Sequence, residues 1–474
     1  MTPLLLRTFL CATVLALGTS ACADKQESGE EKELVARTTP TVAAVPPPAP
    51  EPELTLRIVD GDTSKPVRRA AVIVHGERAR TDGHGLVGFA PARKRATVRV
   101  SARQYGTQTV RVRAIRGVAE TIKIWRPAAQ WPIYGANPAR TQVHSGIKLR
   151  PPFRVVWKRN LGGLIEFPAV TWNGVAYVTN IHGVLRALSI RTGKVLWETR
   201  VGTLAATSPA IDPERSVLVV TTMSPGYVSV VSMKTGQVRW RYYTGRAEPS
   251  PVVRGGIVYF AAANGNVYAL DLDTRQPRWI FHGGVKITSS PALVGDRLFV
   301  GDYAGRVFAL DAQTGARIWT GSAGSRVYGT VAVAGGRVFA PSVFSGLSAL
   351  SARTGRLLWR IPTGAYLYSS PAAYKGRVYF ASYTGRVHCA SARSGRILWS
   401  GSAGGAVSGA VQVVAGVVYA ASFGRRITAW HWRSGRPVWT FPRGRYVPVS
   451  GNAARLLLHS GQGIWAVEPR RKNR

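Results

Sequence analysis

The residues able to do chemistry in this 474-residue chain are few and scattered. Cys11 and Cys22 fall in or just after an N-terminal apolar run, which leaves Cys389 alone in the body of the chain and no partner there for a structural disulfide. Cys389 aligns with Ala187, Ala269, Ala309, Ala349 and Ala429, so it is read as a small core side chain and not as a reactive thiol. His75 and His84 stand apart from each other and are read as surface residues, not as metal ligands. Binding chemistry is better represented. Lys286, Arg326, Tyr328, Tyr366 and Tyr368 precede short strands, Tyr303, Phe344, Tyr383 and Phe423 fall in hairpin turns, and Arg445 and Tyr446 extend the set. Rings give contact area at low entropy cost and guanidinium directs hydrogen bonds, the composition of protein interfaces and of sugar or anion sites. A second reading stays open, in which the same rings merely plug a narrow central channel.

These residues come in phase because the chain repeats. Trp157, Trp197, Trp240, Trp279, Trp319, Trp359, Trp399 and Trp439 fall about forty residues apart, each with a glycine five positions on, from Gly162 to Gly444. One unit, residues 289–324, holds four alternating apolar runs separated by turn residues, which predicts a four-stranded antiparallel meander. A period near forty with four strands per unit is the signature of a propeller blade. The eighth unit is split: residues 447–468 supply three inner strands, and Phe153 to Arg159 is an orphan outer strand at the other end. Pairing the two closes the ring without an exposed sheet edge. The fold expected is all-β, an eight-bladed propeller closed by terminal strands.

Within each unit a short Ser, Asp or His stands eight residues before the tryptophan, and a Thr-Gly or Ser-Gly dipeptide (Thr274-Arg275 in one unit) marks the turn between outer strands. The short side chain accepts backbone N–H groups and the glycine permits positive φ. The tryptophan is expected to bury a flat face between blades, a structural role, with the fifth-position glycine leaving room for close approach. Entering loops elsewhere in the ring carry Leu204, Ala206 and Ala406, so one sector of the face is aromatic and basic and the rest is bland.

Residues 1–22 carry a basic start, an apolar run from Phe9 to Leu17 and small residues before Cys22, which is an export signal and too short to span a membrane. Its end resembles a bacterial lipobox, implying lipidation of Cys22 and a membrane anchor; Thr19 departs from the usual leucine and leaves ordinary secretion open. Residues 23–53, charged and then Pro-rich, read as a tether. Residues 54–126 read as a small β-sandwich, and residues 127–474 as the propeller. Lys65-Pro66-Val67, Ala71-Val72, Thr81-Asp82-Gly83-His84-Gly85 and Val100 to Ala102 followed by Tyr105 resemble the carboxypeptidase regulatory-like domain, which implies a fold and no chemistry.

The net charge is +40, mostly arginine spread over every unit, including Arg186, Arg306, Arg386 and Arg426 at what read as equivalent strand starts. A solvated basic surface accounts for this; an anionic partner is the sharper reading. The export signal places the chain outside the cytoplasm, which sets nucleic acid aside in favour of anionic headgroups or wall polymers.

The repeat motif, as in Ala309-Leu-Asp-Ala-Gln-Thr-Gly315 followed by Trp319 and Gly324, resembles the PQQ-like propeller repeat from Trp131 to the C-terminus. One branch of that family binds a quinone and Ca²⁺ over the ring centre, with carboxylates, an Asp base and often a vicinal Cys pair. This chain has no Cys-Cys pair and eleven acidic residues in the propeller, of which Glu166, Glu248 and Asp302, with Asn264, read as dispersed over several blades. No cofactor, metal site or catalytic residue is therefore expected. The other branch includes BamB-type lipoproteins, eight-bladed scaffolds of outer-membrane β-barrel assembly, which implies a monomeric, non-catalytic envelope scaffold. The partner expected is an envelope or membrane protein, with an anionic wall polymer or glycan as the alternative and a quinone-dependent dehydrogenase third. The added sandwich and the arginine bias set this chain apart from BamB-type proteins.

Overall fold

The computed structural model describes residues 54–90, 95–115 and 117–470. The export signal, Cys22 and the tether lie outside them. Among the described residues, seven strands form the N-terminal sandwich: β1 (Leu54–Asp60), β2 (Ala71–Val74), β3 (Glu77–Arg80), β4 (Leu86–Phe89), β5 (Arg95–Ser101), β6 (Gln108–Arg113) and β7 (Ala119–Ile124). One sheet has the order β4-β1-β7, with β7 parallel to β1, and the other β3-β2-β5-β6. Strict alternation in β5, where Ala96, Val98 and Val100 point inward, and the buried run of β1 fill the space between the sheets.

Eight four-stranded meanders follow among the described residues, at 170–200, 210–243, 252–282, 292–322, 332–361, 372–402, 412–441 and 449–469, the last completed by Phe153–Asn160. This closing strand lies antiparallel to Gly463–Pro469, from Gly463 opposite Asn160 to Pro469 opposite Phe153. The ring is thus joined by hydrogen bonds between the two ends of the propeller sequence. Second strands such as Ile257–Ala261 are buried on both faces because each blade is sandwiched between neighbours; fourth strands such as Val238–Tyr243 alternate because their outer side meets solvent.

Every blade has a register shift one residue beyond the tryptophan's cross-strand partner, and that partner is small: Ala187, Val230, Ala269, Ala309, Ala349, Cys389, Ala429 and Ala466. Cys389 is fully buried there, opposite Trp399. Six tryptophans donate their indole N–H to a carbonyl of the next blade, from Trp157 to Ile190 O at 2.8 Å round to Trp399 to Trp432 O at 3.2 Å.

Close approach to a tryptophan belongs to the Thr-Gly glycine, where a Cβ on Gly355 would sit 2.6 Å from the Trp319 ring. The glycines five after the tryptophan divide: a Cβ on Gly202 or Gly444 would come within 2.8 Å of a backbone oxygen, the close approach read from the sequence, whereas one on Gly245, Gly284 or Gly364 would meet nothing. Those fifth-position glycines serve instead through positive φ, 69°, 78° and 66°. Arg186 is not equivalent to Arg306. It lies one residue before Ala187, as Phe308 lies before Ala309, and pairs with Glu198 at 2.9 Å.

The sandwich and the ring make direct contacts. Asp62 accepts from Asn452 Nδ2 of the last blade and from Gln130 Nε2, both at 2.8 Å, and Trp125 covers Gly61 and approaches the turn at Gly174. Residues 130–144 then run beneath the ring. Thr171, Ile211, Leu293, Val333, Ala373 and Val413, all on innermost strands, donate backbone N–H groups to Trp131, Pro132, Pro138, Ala139, Thr141 and Gln142. Within that segment Arg140 is fully buried and donates to the carbonyls of Pro291 at 2.9 Å and of Ser250 and Pro251 at 2.8 and 2.9 Å. Burial lowers its pKa to about 9, and its cation-holding partners are backbone dipoles. No helix among the described residues is long and apolar enough to cross a membrane.

Candidate binding face and axial cavity

The loops that enter the innermost strands and the turns between second and third strands share one end of the ring, opposite the turns that carry the Thr-Gly motif. That follows from strand alternation: each blade runs down, up, down and up from its entering loop. On this end the eleven residues singled out above form one connected set. Lys286 Nζ lies 4.8 Å from the Tyr303 ring centre, and the Arg326 guanidinium 5.0 Å from it and 5.9 Å from that of Phe344. Phe344 meets Tyr366 edge-on at 5.4 Å, and Tyr366 reaches Tyr368 at 5.9 Å and Tyr383 at 6.0 Å. Tyr328 joins Tyr303 to Tyr368, at 6.3 and 5.1 Å. Tyr383 continues to Phe423 at 5.9 Å and Phe423 to Tyr446 at 5.3 Å, with Arg445 over both rings.

The set therefore spans four adjacent blades and reaches the loop entering the last. Phe344 and Tyr366 are 64% and 48% exposed, large apolar surface held edge-on and not packed away. Among the described residues, none of Lys286, Arg326 and Arg445 is in an ion pair. Their charges rest on aromatic faces, interactions worth about 0.5–1 kcal/mol each when exposed.

At the axis the same end opens into a cavity of about 50 Å³. Its wall is built from one position of the entering loop, which carries Glu166, Glu248, Thr288, Tyr328, Tyr368, Ser408 and Tyr446 in seven blades, and its floor from Tyr134 and Phe167, edge to face at 5.2 Å. Beneath it hydroxyls link successive blades. Ser208, Ser250, Ser290 and Thr330 each donate a backbone N–H to the hydroxyl of the next blade, ending at Ser370, and the Tyr134 hydroxyl donates to Ser370 Oγ at 3.0 Å. Residues 130–144 close the channel from below, and Tyr328, Tyr368 and Tyr446 of the aromatic set narrow it above.

Sequence reading treated Glu166 and Glu248 as dispersed; the ring brings them into one cavity. Glu248 accepts from the Tyr328 hydroxyl at 3.1 Å. Burial, reinforced by the charge of Glu248 and only partly offset by Arg445, raises the Glu166 pKa to about 6. The signal that would have found the pair was their shared offset from the innermost strand that follows, four residues before Val170 and four before Val252. Asp302 and Asn264 go elsewhere. Asp302 is fully buried, holding the turn at Ala304 and pairing with Arg306, and Asn264 caps its own hairpin turn.

The quinone and Ca²⁺ of the dehydrogenase branch do not fit this cavity. Its volume is short of a fused-ring quinone, and two carboxylates fall short of the charge-rich oxygen set that Ca²⁺ takes. No group of three His, Cys, Asp or Glu side chains is placed for a metal ion among the described residues.

The family model described as outer membrane protein assembly factor BamB matches residues 153–282, 263–365 and 343–471. Outer membrane protein assembly factor BamB of Yersinia pestis is 30% identical over 143 residues, 27% of this chain and 36% of that protein. Serine/threonine-protein kinase AfsK of Streptomyces griseus is 34% identical over 125 residues, 23% of this chain and 15% of the kinase. The chain thus spans about a third or less of the length of these curated relatives. Among solved structures, BamB from Moraxella catarrhalis superposes with a TM-score of 0.56 at 17% identity, over 67% of this chain and 99% of that one. Quinohemoprotein alcohol dehydrogenase from Comamonas testosteroni gives 0.61 at 13%, over 73% and 81%. At such identities the solved structures establish the fold alone. The repeat, the closed ring and a family match that covers residues 153–471 agree: this chain belongs to the BamB family of PQQ-like propeller proteins.

Proposed function

We propose that this protein is a non-catalytic binding scaffold of the cell envelope that engages a protein partner through the aromatic and basic sector of its propeller. The observation that carries the reading is the continuity of the eleven-residue set, with exposed rings and unpaired cations across four adjacent blades, against a smaller cluster of Tyr227, Tyr243 and Arg241 in the second blade. Interface centres are enriched in Tyr, Phe and Arg for the reason that rigid rings lose little entropy on binding. Family membership supports a scaffold, and the poor fit of a quinone and Ca²⁺ supports a role without chemistry. In this reading residues 1–22 direct export, lipidated Cys22 anchors the chain to a membrane, residues 23–53 act as a tether, and residues 54–126 and 127–474 are the carboxypeptidase regulatory-like sandwich and the propeller, in a monomer.

A second reading has its own observation. Lys158, Arg159, Arg425, Arg443 and Arg445 line an open groove of about 1120 Å³ at the closing seam, with no carboxylate among its lining residues, and Lys158 and Arg443 both lie over the Trp465 ring. Such a groove suits a phosphate-bearing wall polymer, held by charge and therefore released by salt.

Crosslinking capture from native membranes separates the two. Wild type is compared with a variant carrying Arg326→Ser, Tyr328→Ser, Tyr366→Ser and Tyr368→Ser that has been shown to fold alike. Loss of one protein species from the variant is the expected result. Equal recoveries would overturn the protein-scaffold reading, and retention on purified wall polymer that falls steeply with salt would then favour the groove.

A further inference from the structure

Glu166 and Glu248 are out of place in a chain of net charge +40. Most propeller carboxylates have taken an arginine: Glu198, Asp212, Asp271, Asp273, Asp296, Asp302 and Glu468 are all in ion pairs. Among the described residues these two have none, although Arg445 stands at the mouth of the cavity. Its guanidinium is committed to the rings of Phe423 and Tyr446. A half-buried carboxylate whose nearest cation offsets its charge only in part is costly, and a cation entering from outside would relieve that cost.

The cavity limits what can enter. Its roughly 50 Å³ takes a few waters, at 10–15 Å³ or more of such volume for each, or one small cationic group with its last methylenes. The walls add Tyr328, Tyr368, Tyr446 and Phe167. A cluster of ring faces around a site of negative charge is the arrangement that holds ammonium groups. The rim is opposite in sign: Lys286, Arg326 and Arg445 stand unpaired above the cage. A free polycation is repelled there, whereas a chain with acidic residues on either side of one cation is attracted twice.

We propose that the axial cavity is an ammonium cage that receives a lysine side chain from an acidic segment of the partner. This rests on the scaffold reading and gives the partner its chemistry. Lysine is favoured over arginine because its compact ammonium matches the small volume. Protonation of Glu166, whose pKa lies near 6, competes with the ligand, and Glu248, Arg445, Tyr328 and Tyr446 are the other ionisable groups that face it.

The test uses the full chain and three soluble probes: an acetylated Asp-Asp-Lys-Asp-Asp amide, the same peptide with norleucine for lysine, and spermidine, each titrated calorimetrically. The lysine peptide is expected to bind at least tenfold tighter than the norleucine peptide at pH 7.5, with the preference shrinking at pH 5. Glu166→Gln with Glu248→Gln should remove the preference. Ser408→Lys, which supplies a tethered ammonium from the cavity wall, should block the peptide without lowering the unfolding temperature. Equal affinity for the two peptides, or a preference that survives the double substitution, would overturn the cage. Spermidine binding as tightly as the lysine peptide would overturn the partner segment as its source. Membrane capture keeps the two readings apart: a partner recovered equally by wild type and by the Glu166→Gln, Glu248→Gln variant defeats the cage alone, and peptide discrimination without any captured partner defeats the scaffold alone.

Discussion

Asp62 and His144 sit at the junction between sandwich and ring, and they respond to pH in opposite senses. His144 stacks on Trp131 at 5.1 Å, with Nε2 on the Gln130 carbonyl at 2.6 Å and Nδ1 accepting from the Ile147 N–H. Burial lowers its pKa to about 4, so its unfolded form binds the proton more tightly and stability is lost as pH falls from about 6.5 toward 4. Burial raises the Asp62 pKa to about 6, so the folded form keeps the proton longer and ionisation costs stability as pH climbs from about 4 to about 6. The two slopes partly cancel in the wild type. Asp62→Asn removes one of them: relative to wild type it should gain about 1–2 kcal/mol between pH 4 and pH 7, and its acid loss should be steeper, as read by urea unfolding across that range. A parallel pair of profiles would mean that Asp62 does not titrate at this junction. None of this was legible in the sequence, since neither residue shows its burial before the sandwich is docked on the ring.

At the scale of the element, the blade was almost fully readable. Strand 297–301 and its partners fall where alternation and turn residues put them, because both signals are local. The reason for each recurring glycine within the repeat was not readable, since a turn's φ and a neighbour's tryptophan are different demands on the same residue type. The structure separates them. Gly355 has φ 74° and the Trp319 ring 2.6 Å from its missing Cβ, whereas Gly364 has φ 66° and open space. Gly364→Ala should cost about 1–2 kcal/mol from the left-handed backbone alone, and Gly355→Ala a further 1–3 kcal/mol for displacing the indole. Equilibrium unfolding of the two variants decides this, and equal losses would return the close-approach role to neither glycine. Arg275 occupies the Thr-Gly position of one blade at φ 63°; the neighbouring Trp240, like Trp439, is not among the six tryptophans whose indole N–H reaches a carbonyl of the next blade.

For the whole molecule, ring closure was legible because the missing outer strand of the last unit and the orphan strand Phe153–Asn160 complement each other in the sequence. The plug was not. Residues 130–144 have no repeat pattern, and the role of Arg140 depends on carbonyls of Ser250, Pro251 and Pro291 that lie more than a hundred residues away. The same distance hid the cage, where Glu166 and Glu248 meet only because blades 1 and 3 share an axis. A propeller converts equal offsets within a repeat into one ring of side chains, so comparing loops blade by blade recovers a face that no single unit displays. A photo-crosslinking amino acid placed at Phe344 or Tyr366, in the aromatic sector, is compared in cells with one at His182 or Leu204, in loops at the same end of the ring. A single protein adduct is expected from the first two positions and none from the other two. Adducts of equal yield from all four positions, or from His182 and Leu204 alone, would contradict that expectation.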